Sequence, residues 1–194
     1  MARTLPYPEP RVSEFLFASK AMAPVWAIIR IYLGWMWLTA GWGKVTSPAW
    51  TGENAGAAVT GYLRGALGRA EGESPSVTGW YAWMIENLFL PNATLMSWMV
   101  AWGEVLVGIA LIVGALTGVA ALFGAVMNFN FMLAGTASTN PVLFLFAVLL
   151  LLAWKVSGYI GIDRWLLPAL GTPWSPGAVI RRRRAKDQEA EAVE

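Results

Sequence analysis

The 194-residue sequence contains no cysteine and no histidine, and only 13% of its residues are charged. These absences exclude disulfides, thiolate nucleophiles, zinc sites built from Cys or His, iron–sulfur clusters and His-ligated haem. Any redox cofactor must therefore bind without a covalent bond or belong to a partner protein. We expect no metal site.

What the sequence has in abundance is apolar side chains, which make up 57% of the residues and give a mean hydropathy of +0.52. Such a composition is typical of a membrane protein of this size. The formal charge of +2 comes largely from four consecutive arginines, Arg181 to Arg184. Because this basicity is local, we expect contact with membrane lipid and no nucleic-acid partner.

Four apolar runs predict four membrane-spanning helices, at about 24–45, 93–116, 118–134 and 141–162. About 20 helical residues cross the ~30 Å hydrocarbon core of a bilayer. The predicted fold class is therefore all-α, an integral membrane four-helix bundle. Its domain covers residues 24–168, between an N-terminal segment, 1–23, and a basic, then acidic, disordered tail, 169–194.

The long connection between the first two runs, residues 46–92, is polar and aromatic rather than uniformly apolar. Part of it has apolar residues at helical spacing, namely Val59, Tyr62, Leu63, Ala66 and Leu67. This pattern predicts a short amphipathic helix in the membrane interface. Residues 78–90 carry four aromatic side chains, which prefer the headgroup level, and predict a second such helix.

The distribution of Lys and Arg predicts the orientation of the chain. Nine lie toward the terminal side, Arg3, Arg11, Lys20, Arg164, Arg181, Arg182, Arg183, Arg184 and Lys186, against Arg64 and Arg69 in the long connection. By the positive-inside rule both termini are cytoplasmic and the connection is extracytoplasmic. We expect a multi-pass protein of the plasma membrane.

Glu104 lies near the middle of the second run, where a lone carboxylate is expensive. Arg30 in the first run and Lys155 in the last are the cations expected nearest to it in depth. Stripes of small residues lead from Arg30 along Gly34 and Gly41, and from Glu104 along Gly108, and predict close helix packing. Two interpretations stay open: a structural Arg30–Glu104 ion pair with Lys155 near the headgroups, or the lining of a ligand or proton site.

Further candidates surround this polar core. Lys44 is expected at the outer mouth, as an interfacial anchor or as an entry site for a small anion. Trp37 and Trp102 lie deeper in their runs, where indole rings pack or form a wall against which a quinone stacks. Asn128 places an amide near the middle of the third run.

Three segments together resemble the DoxX family of membrane proteins: 30–44 (RIYLGWMWLTAGWGK), 103–117 (GEVLVGIALIVGALT) and 158–164 (GYIGIDR). The family includes the DoxD-like small subunits of thiosulfate:quinone oxidoreductase. The resemblance implies a four-helix membrane bundle in an oxidoreductase system, with Arg30, Lys44, Glu104 and Asp163 as candidate site residues. The connection 46–92 is longer than the family pattern.

Together these features predict a membrane subunit of a quinone-linked oxidoreductase that acts with an extracytoplasmic partner subunit on a small sulfur oxyanion such as thiosulfate. Glu104 and Arg30 are the predicted catalytic residues, through a proton and a hydrogen bond to a quinone carbonyl. The residues predicted to line the quinone or substrate site are Lys44, Trp37, Trp102, Asn128, Lys155 and Asp163. The alternatives are a non-catalytic assembly subunit and a small proton or anion transporter.

Overall fold

The computed structural model describes residues 10–171, and every regular element in this range is helical. The α-helices are α1 Arg11–Ala18, α2 Ala23–Val45, α3 Ala57–Gly68, α4 Gly79–Met84, α5 Ala93–Val113, α6 Thr117–Leu133, α7 Asn140–Leu152, α8 Trp154–Ser157 and α9 Asp163–Leu170. A 3₁₀ turn, Lys20–Met22, leads into α2, and a π-helical turn, Ile85–Phe89, continues α4. The arginine run 181–184 and most of the predicted tail lie outside the described residues.

Two helical stretches are long and apolar enough to cross a membrane, Lys20–Val45 and Ala93–Val113. The third and fourth predicted spans are shorter, since α6 has 17 residues and α7 has 13. The last apolar run is not one helix, because α7 ends at Leu152 and α8 begins after Ala153. Four complete spans therefore remain a prediction.

Large apolar side chains cover the outside of the long helices. Exposed examples are Ile28 and Trp35 on α2, Leu106 on α5, and Phe123 on α6. The buried faces of the same helices are also mainly apolar, apart from a few polar residues such as Arg30, Glu104 and Asn128. A helix that is apolar all round is typical of a lipid environment.

Helices α2 and α5 pack antiparallel through the predicted small-residue stripes. A Cβ added at Gly108 would lie 2.5 Å from the backbone nitrogen of Leu38, and one at Gly34 would lie 2.9 Å from the carbonyl oxygen of Gly108. At the other end, a Cβ at Gly41 would lie 2.6 Å from the backbone nitrogen of Val105. The glycines therefore allow backbone-to-backbone contact that any side chain would prevent.

The core has two parts. The first lies between α2, α5, α6 and α7 and includes Leu33, Trp37, Leu111, Ala121, Ala147 and Leu150. The second lies beneath residues 57–89, called here the α3–α4 cap, and includes Val59, Leu63, Val77, Tyr81, Ile85 and Ala134. The predicted helices of the connection are confirmed, and they fold onto one end of α5 and α6.

Candidate functional site

Lys44 and Glu104 form an ion pair at the junction of α2 and α5. The Lys44 Nζ lies 2.5 Å from Oε2 of Glu104. The Glu104 side chain is 2% exposed and that of Lys44 is 21% exposed. Gly41, one turn before Lys44, sits directly against Glu104, since an added Cβ would lie 2.9 Å from the Glu104 Cβ. The glycine therefore brings the two helices close enough for the lysine to reach the buried carboxylate.

Arg30 does not serve as the partner of Glu104, so the expected Arg30–Glu104 pair is wrong. Its guanidinium is buried and donates to the carbonyl oxygens of Leu111, of Ile112 at 2.9 Å and of Ile160 at 2.7 Å. Leu111 follows Glu104 by seven residues, which is about 10 Å along the axis of α5. The two charged groups thus occupy different levels of the bundle.

The Arg30 contacts have a clear structural reason. The last four carbonyls of a helix have no partner within it, and a cation is favourable at that negative end of the helix dipole. Leu111 and Ile112 belong to the last turn of α5, which ends at Val113. Gly114, with φ of 70°, leaves room for the guanidinium, because a Cβ there would lie 2.7 Å from its NH1. Arg30 therefore closes the C-terminus of α5.

Asp163 performs the complementary task at the start of the next helix. Its carboxylate accepts from the backbone amides of Leu116 at 2.6 Å and Thr117 at 2.8 Å, and it is buried. These are N–H groups of the first turn of α6, at the positive end of its dipole. Gly158 makes room, since a Cβ there would collide with the Asp163 side chain. The segment 158–163 thus anchors the α5–α6 turn, and a role of Asp163 in a substrate site stays a prediction.

The remaining predicted residues are spread through the fold. Trp37 is buried against Gly124 of α6, and Asn128 follows one turn later, also buried. Among the described residues, neither the Trp37 indole nitrogen nor the Asn128 amide has a hydrogen-bond partner. Lys155 lies half-buried in α8, at the far end from the cap. Trp102 is partly exposed on α5.

A groove of about 710 Å³ lies between α5, α6 and the cap. Its lining is almost entirely apolar or aromatic and consists of Trp50, Val59, Tyr62, Leu63, Tyr81, Phe89, Met96, Met99, Val100, Trp102, Gly103, Leu106, Val107, Phe123, Val126, Met127, Asn130 and Phe131. The exposed members Met99, Trp102 and Phe123 mark an opening on the outer, apolar surface of the bundle. The groove therefore opens on the apolar outer surface of the bundle and ends beneath the cap.

The ion pair is close to one residue that lines this groove, Trp50, but Lys44 and Glu104 are not among the lining residues. The Lys44 Nζ lies 5.2 Å from the centre of the Trp50 ring, which lines the groove. The Trp50 carbonyl accepts from the Ser97 hydroxyl at 2.7 Å, which holds this loop against α5. Gly103, next to Glu104 in the chain, also lines the groove. The groove was not predicted from the sequence. The helical spacing of Val59 and Tyr62 predicts an apolar face on α3, but it does not show that this face covers a groove.

The cap is tied to the end of α6 by polar contacts. The Tyr81 hydroxyl donates to the Asn130 carbonyl at 3.0 Å, and Arg69 donates to the Ala134 carbonyl at 2.8 Å. The Tyr62 hydroxyl lies 3.0 Å from that of Thr136. The contacts of Tyr81 and Arg69 end on carbonyls at the C-terminal end of α6. The cap is therefore fixed over the groove.

Burial makes both cap phenols harder to ionise. It raises the pKa of Tyr81 to about 12, with a further increase from the neighbouring Tyr62. Burial also raises the pKa of Tyr62, although the hydrogen bond with Thr136 and the charge of Arg69 oppose this. Both hydroxyls therefore remain donors at neutral pH.

The raised pKa of Tyr81 predicts loss of stability in alkali. Between pH 10 and about 12 an unfolded chain releases the phenolic proton and the folded one retains it. Stability from this group is thus complete below pH 10 and falls as the pH rises toward 12. Thermal unfolding midpoints across this range should fall less steeply in Tyr81→Phe than in the parent. Equal slopes would contradict the assignment.

The comparisons agree with the membrane character of the helices. A profile of the DoxX family matches residues 25–137, which include Arg30, Lys44 and Glu104 but not Lys155 or Asp163. No curated protein and no solved structure matches the chain significantly. Together with the two long apolar helices, the match indicates a membrane protein. Because it covers more than half of the sequence, the chain belongs to the DoxX family.

Proposed function

We propose that the chain is the membrane subunit of a quinone-linked oxidoreductase and that the lipid quinone binds in the groove between α5, α6 and the cap. The observation that carries this proposal is the groove itself, which opens on the apolar outer surface of the bundle and is lined by Trp50, the ring that Lys44 contacts. Apolar pockets with few, well-placed polar groups are typical of cofactor sites.

The chemistry of the lining fits an isoprenoid quinone. Aromatic side chains such as Trp102, Phe123 and Phe131 offer faces on which a flat quinone ring packs. The exposed apolar surfaces of α5 and α6 lie beside the opening and accommodate the isoprenoid chain. Lipid access through the opening requires no aqueous path.

In this proposal Lys44 takes the binding role that the sequence suggested for Arg30. The three hydrogen bonds of the Arg30 guanidinium all go to backbone carbonyls, whereas Lys44 has three N–H donors and uses one on Glu104. A second donor hydrogen-bonds a quinone carbonyl. As the quinone is reduced, the Lys44 ammonium gives it one proton, and Glu104, after taking a proton from water, reprotonates the lysine; the same relay delivers the second proton. Two electrons from a partner and two protons convert the quinone to the quinol.

The electron donor acts from outside this chain, which has no Cys or His to hold a redox metal centre. We infer a partner subunit on the cap side that oxidises a small sulfur oxyanion such as thiosulfate. The distribution of cations supports this orientation, since Arg64 and Arg69 lie on the cap and Lys20 and Arg164 lie at the opposite end. Both termini are then cytoplasmic, and the membrane is the plasma membrane.

A groove-filling variant tests the proposal. Gly103→Leu places a side chain in the groove, where an added Cβ meets only the Met127 sulfur at 3.5 Å. Quinone that co-purifies with the protein, extracted and quantified against protein, should fall by about tenfold. Gly43→Leu is the matched control, because Gly43 is an exposed glycine of α2 with no atom within 4 Å of the added Cβ.

Glu104→Gln separates binding from proton transfer in the same assay. It should retain the quinone, because glutamine keeps the shape of the side chain, but quinone reduction by the purified complex should drop by about 100-fold, as for loss of a general acid. Equal quinone content in Gly103→Leu and Gly43→Leu, or no quinone in the parent protein, would remove the proposal.

An assembly role is the second candidate. It is favoured by the outer face of the cap, where Trp80, Trp83 and Leu88 are exposed. If the chain has this assembly role, the groove is only structural and the cap holds a partner complex. Retention of the partner by the Gly103→Leu variant, together with a quinone-free parent protein, would favour assembly over electron transfer.

A further inference from the structure

A second, smaller pocket lies at the end of the bundle opposite to the cap. It has a volume of about 210 Å³ and is lined by Tyr159, Ile160, Gly161, Arg164 and Trp165. These residues connect α8 to the first turn of α9, beside the α5–α6 turn that Arg30 and Asp163 hold. The pocket shares no residue with the groove described above.

Two cations from distant parts of the chain converge on one aromatic ring at this pocket. The Lys20 Nζ lies 5.1 Å from the centre of the Tyr159 ring, and the Arg164 guanidinium carbon lies 5.4 Å from it. The same guanidinium lies 5.8 Å from the Trp165 ring. Contact with an aromatic face restrains a cation but leaves its N–H donors available.

The local charge is positive and uncompensated. Within residues 10–171, neither Lys20 nor Arg164 has a carboxylate within ion-pair distance. Asp163, which precedes Arg164 in the chain, is buried and accepts from the Leu116 and Thr117 amides. Behind the pocket, the guanidinium of Arg30 donates to the carbonyl of Ile160 and adds another positive charge. An anion at the pocket would therefore meet the charges of Lys20, Arg164 and Arg30, while the Asp163 carboxylate is engaged by backbone amides.

We propose that this pocket binds the phosphate headgroup of an anionic phospholipid. Arg164 donates in the forked geometry that suits phosphate oxygens, and Lys20, which contacts the same Tyr159 ring, supplies a second charge. Basic pockets at the ends of membrane helices are typical sites for such headgroups.

A lipid is favoured over free phosphate by the apolar surroundings. Ile160, Ile162 and Trp165 are large, exposed side chains next to the pocket. Tryptophan prefers the headgroup level of a bilayer, and the isoleucines provide contacts for acyl chains. A bound lipid would join the segment before the first long helix to the segment that follows α8, through Lys20 and Arg164.

Titration of the purified full-length protein with short-chain lipids tests this site. Native mass spectrometry in detergent would measure binding of dioctanoyl phosphatidylglycerol, dioctanoyl phosphatidylcholine and inorganic phosphate. We expect a preference for phosphatidylglycerol, reduced about fivefold in each of Lys20→Gln and Arg164→Gln and about 25-fold in the double variant. Arg64→Gln, an exposed charge on the cap, should leave the preference unchanged.

Three results would overturn the proposal. The first is equal phosphatidylglycerol binding by the parent and the double variant. The second is equal binding of the two lipids. The third is inorganic phosphate binding as tight as that of phosphatidylglycerol. A variant in which Arg181 to Arg184 are replaced by glutamine completes the design, and it should keep the preference for phosphatidylglycerol. If this variant loses the preference and Lys20→Gln/Arg164→Gln keeps it, the arginine run binds the lipid and the pocket does not. Quinone content is not involved in any of these measurements.

Discussion

Lys44→Met is expected to lower the free energy of unfolding by about 3 kcal/mol. The substitution keeps an apolar chain of similar length but removes the charge that faces Glu104 at 2.5 Å. A buried carboxylate without its partner is strongly destabilising, at about 3–5 kcal/mol. The lower end applies because the Lys44 side chain is 21% exposed. Reversible unfolding in mixed micelles would measure the change.

The double variant Lys44→Met/Glu104→Gln distinguishes an unpaired charge from lost packing. Replacing both charged groups removes the uncompensated carboxylate, so most of the lost stability should return. Arg64→Met, which removes a cation from the exposed side of α3, should change stability by less than about 0.5 kcal/mol. If the double variant is no more stable than Lys44→Met, the pair does not determine the stability of this region.

Gly108→Val should cost roughly 3 kcal/mol or more and disrupt packing between α2 and α5. The new Cβ would lie 2.5 Å from the backbone nitrogen of Leu38 and 2.7 Å from its Cα. Backbone atoms cannot move aside as the end of a side chain can, so the two helices must separate. The same unfolding assay would detect the loss, and near-ultraviolet circular dichroism would report altered tryptophan packing.

Gly43→Val is the matched control for this prediction. Both positions lie within long helices, so both substitutions carry the same change in helix propensity. At Gly43 an added Cβ has no atom within 4 Å. The difference between the two variants therefore measures helix contact alone. Similar stabilities for Gly43→Val and Gly108→Val would refute the close approach of α2 and α5.

Features encoded in local periodicity could be predicted from the sequence. The spacing of Gly34, Gly41 and Gly108 identified the faces on which α2 and α5 meet, because small residues leave a continuous stripe. The pattern from Val59 to Leu67 identified α3 in the same way. The resemblance of three segments to the DoxX family pointed to the family to which the chain belongs.

The partner of Glu104 was not predictable from depth within each apolar run. Taking the centre of a run as the membrane midplane placed Arg30 close to Glu104, but the register of two antiparallel helices is set by their backbone contact. With Gly41 against Glu104, Lys44 lies at the carboxylate and Arg30 lies near Leu111. The groove could not be predicted for a related reason: it is formed by contacts between α5, α6 and the cap, and no single segment of the sequence contains it.

The contacts of Arg30 also impose an order on biogenesis. Its acceptors lie 81, 82 and 130 residues later in the chain. When the ribosome has completed only α2, none of these carbonyls exists, and a guanidinium within hydrocarbon is costly. The full set of acceptors for this guanidinium exists only after Ile160 has been synthesised, so we expect the first long helix to reach its final position late in assembly.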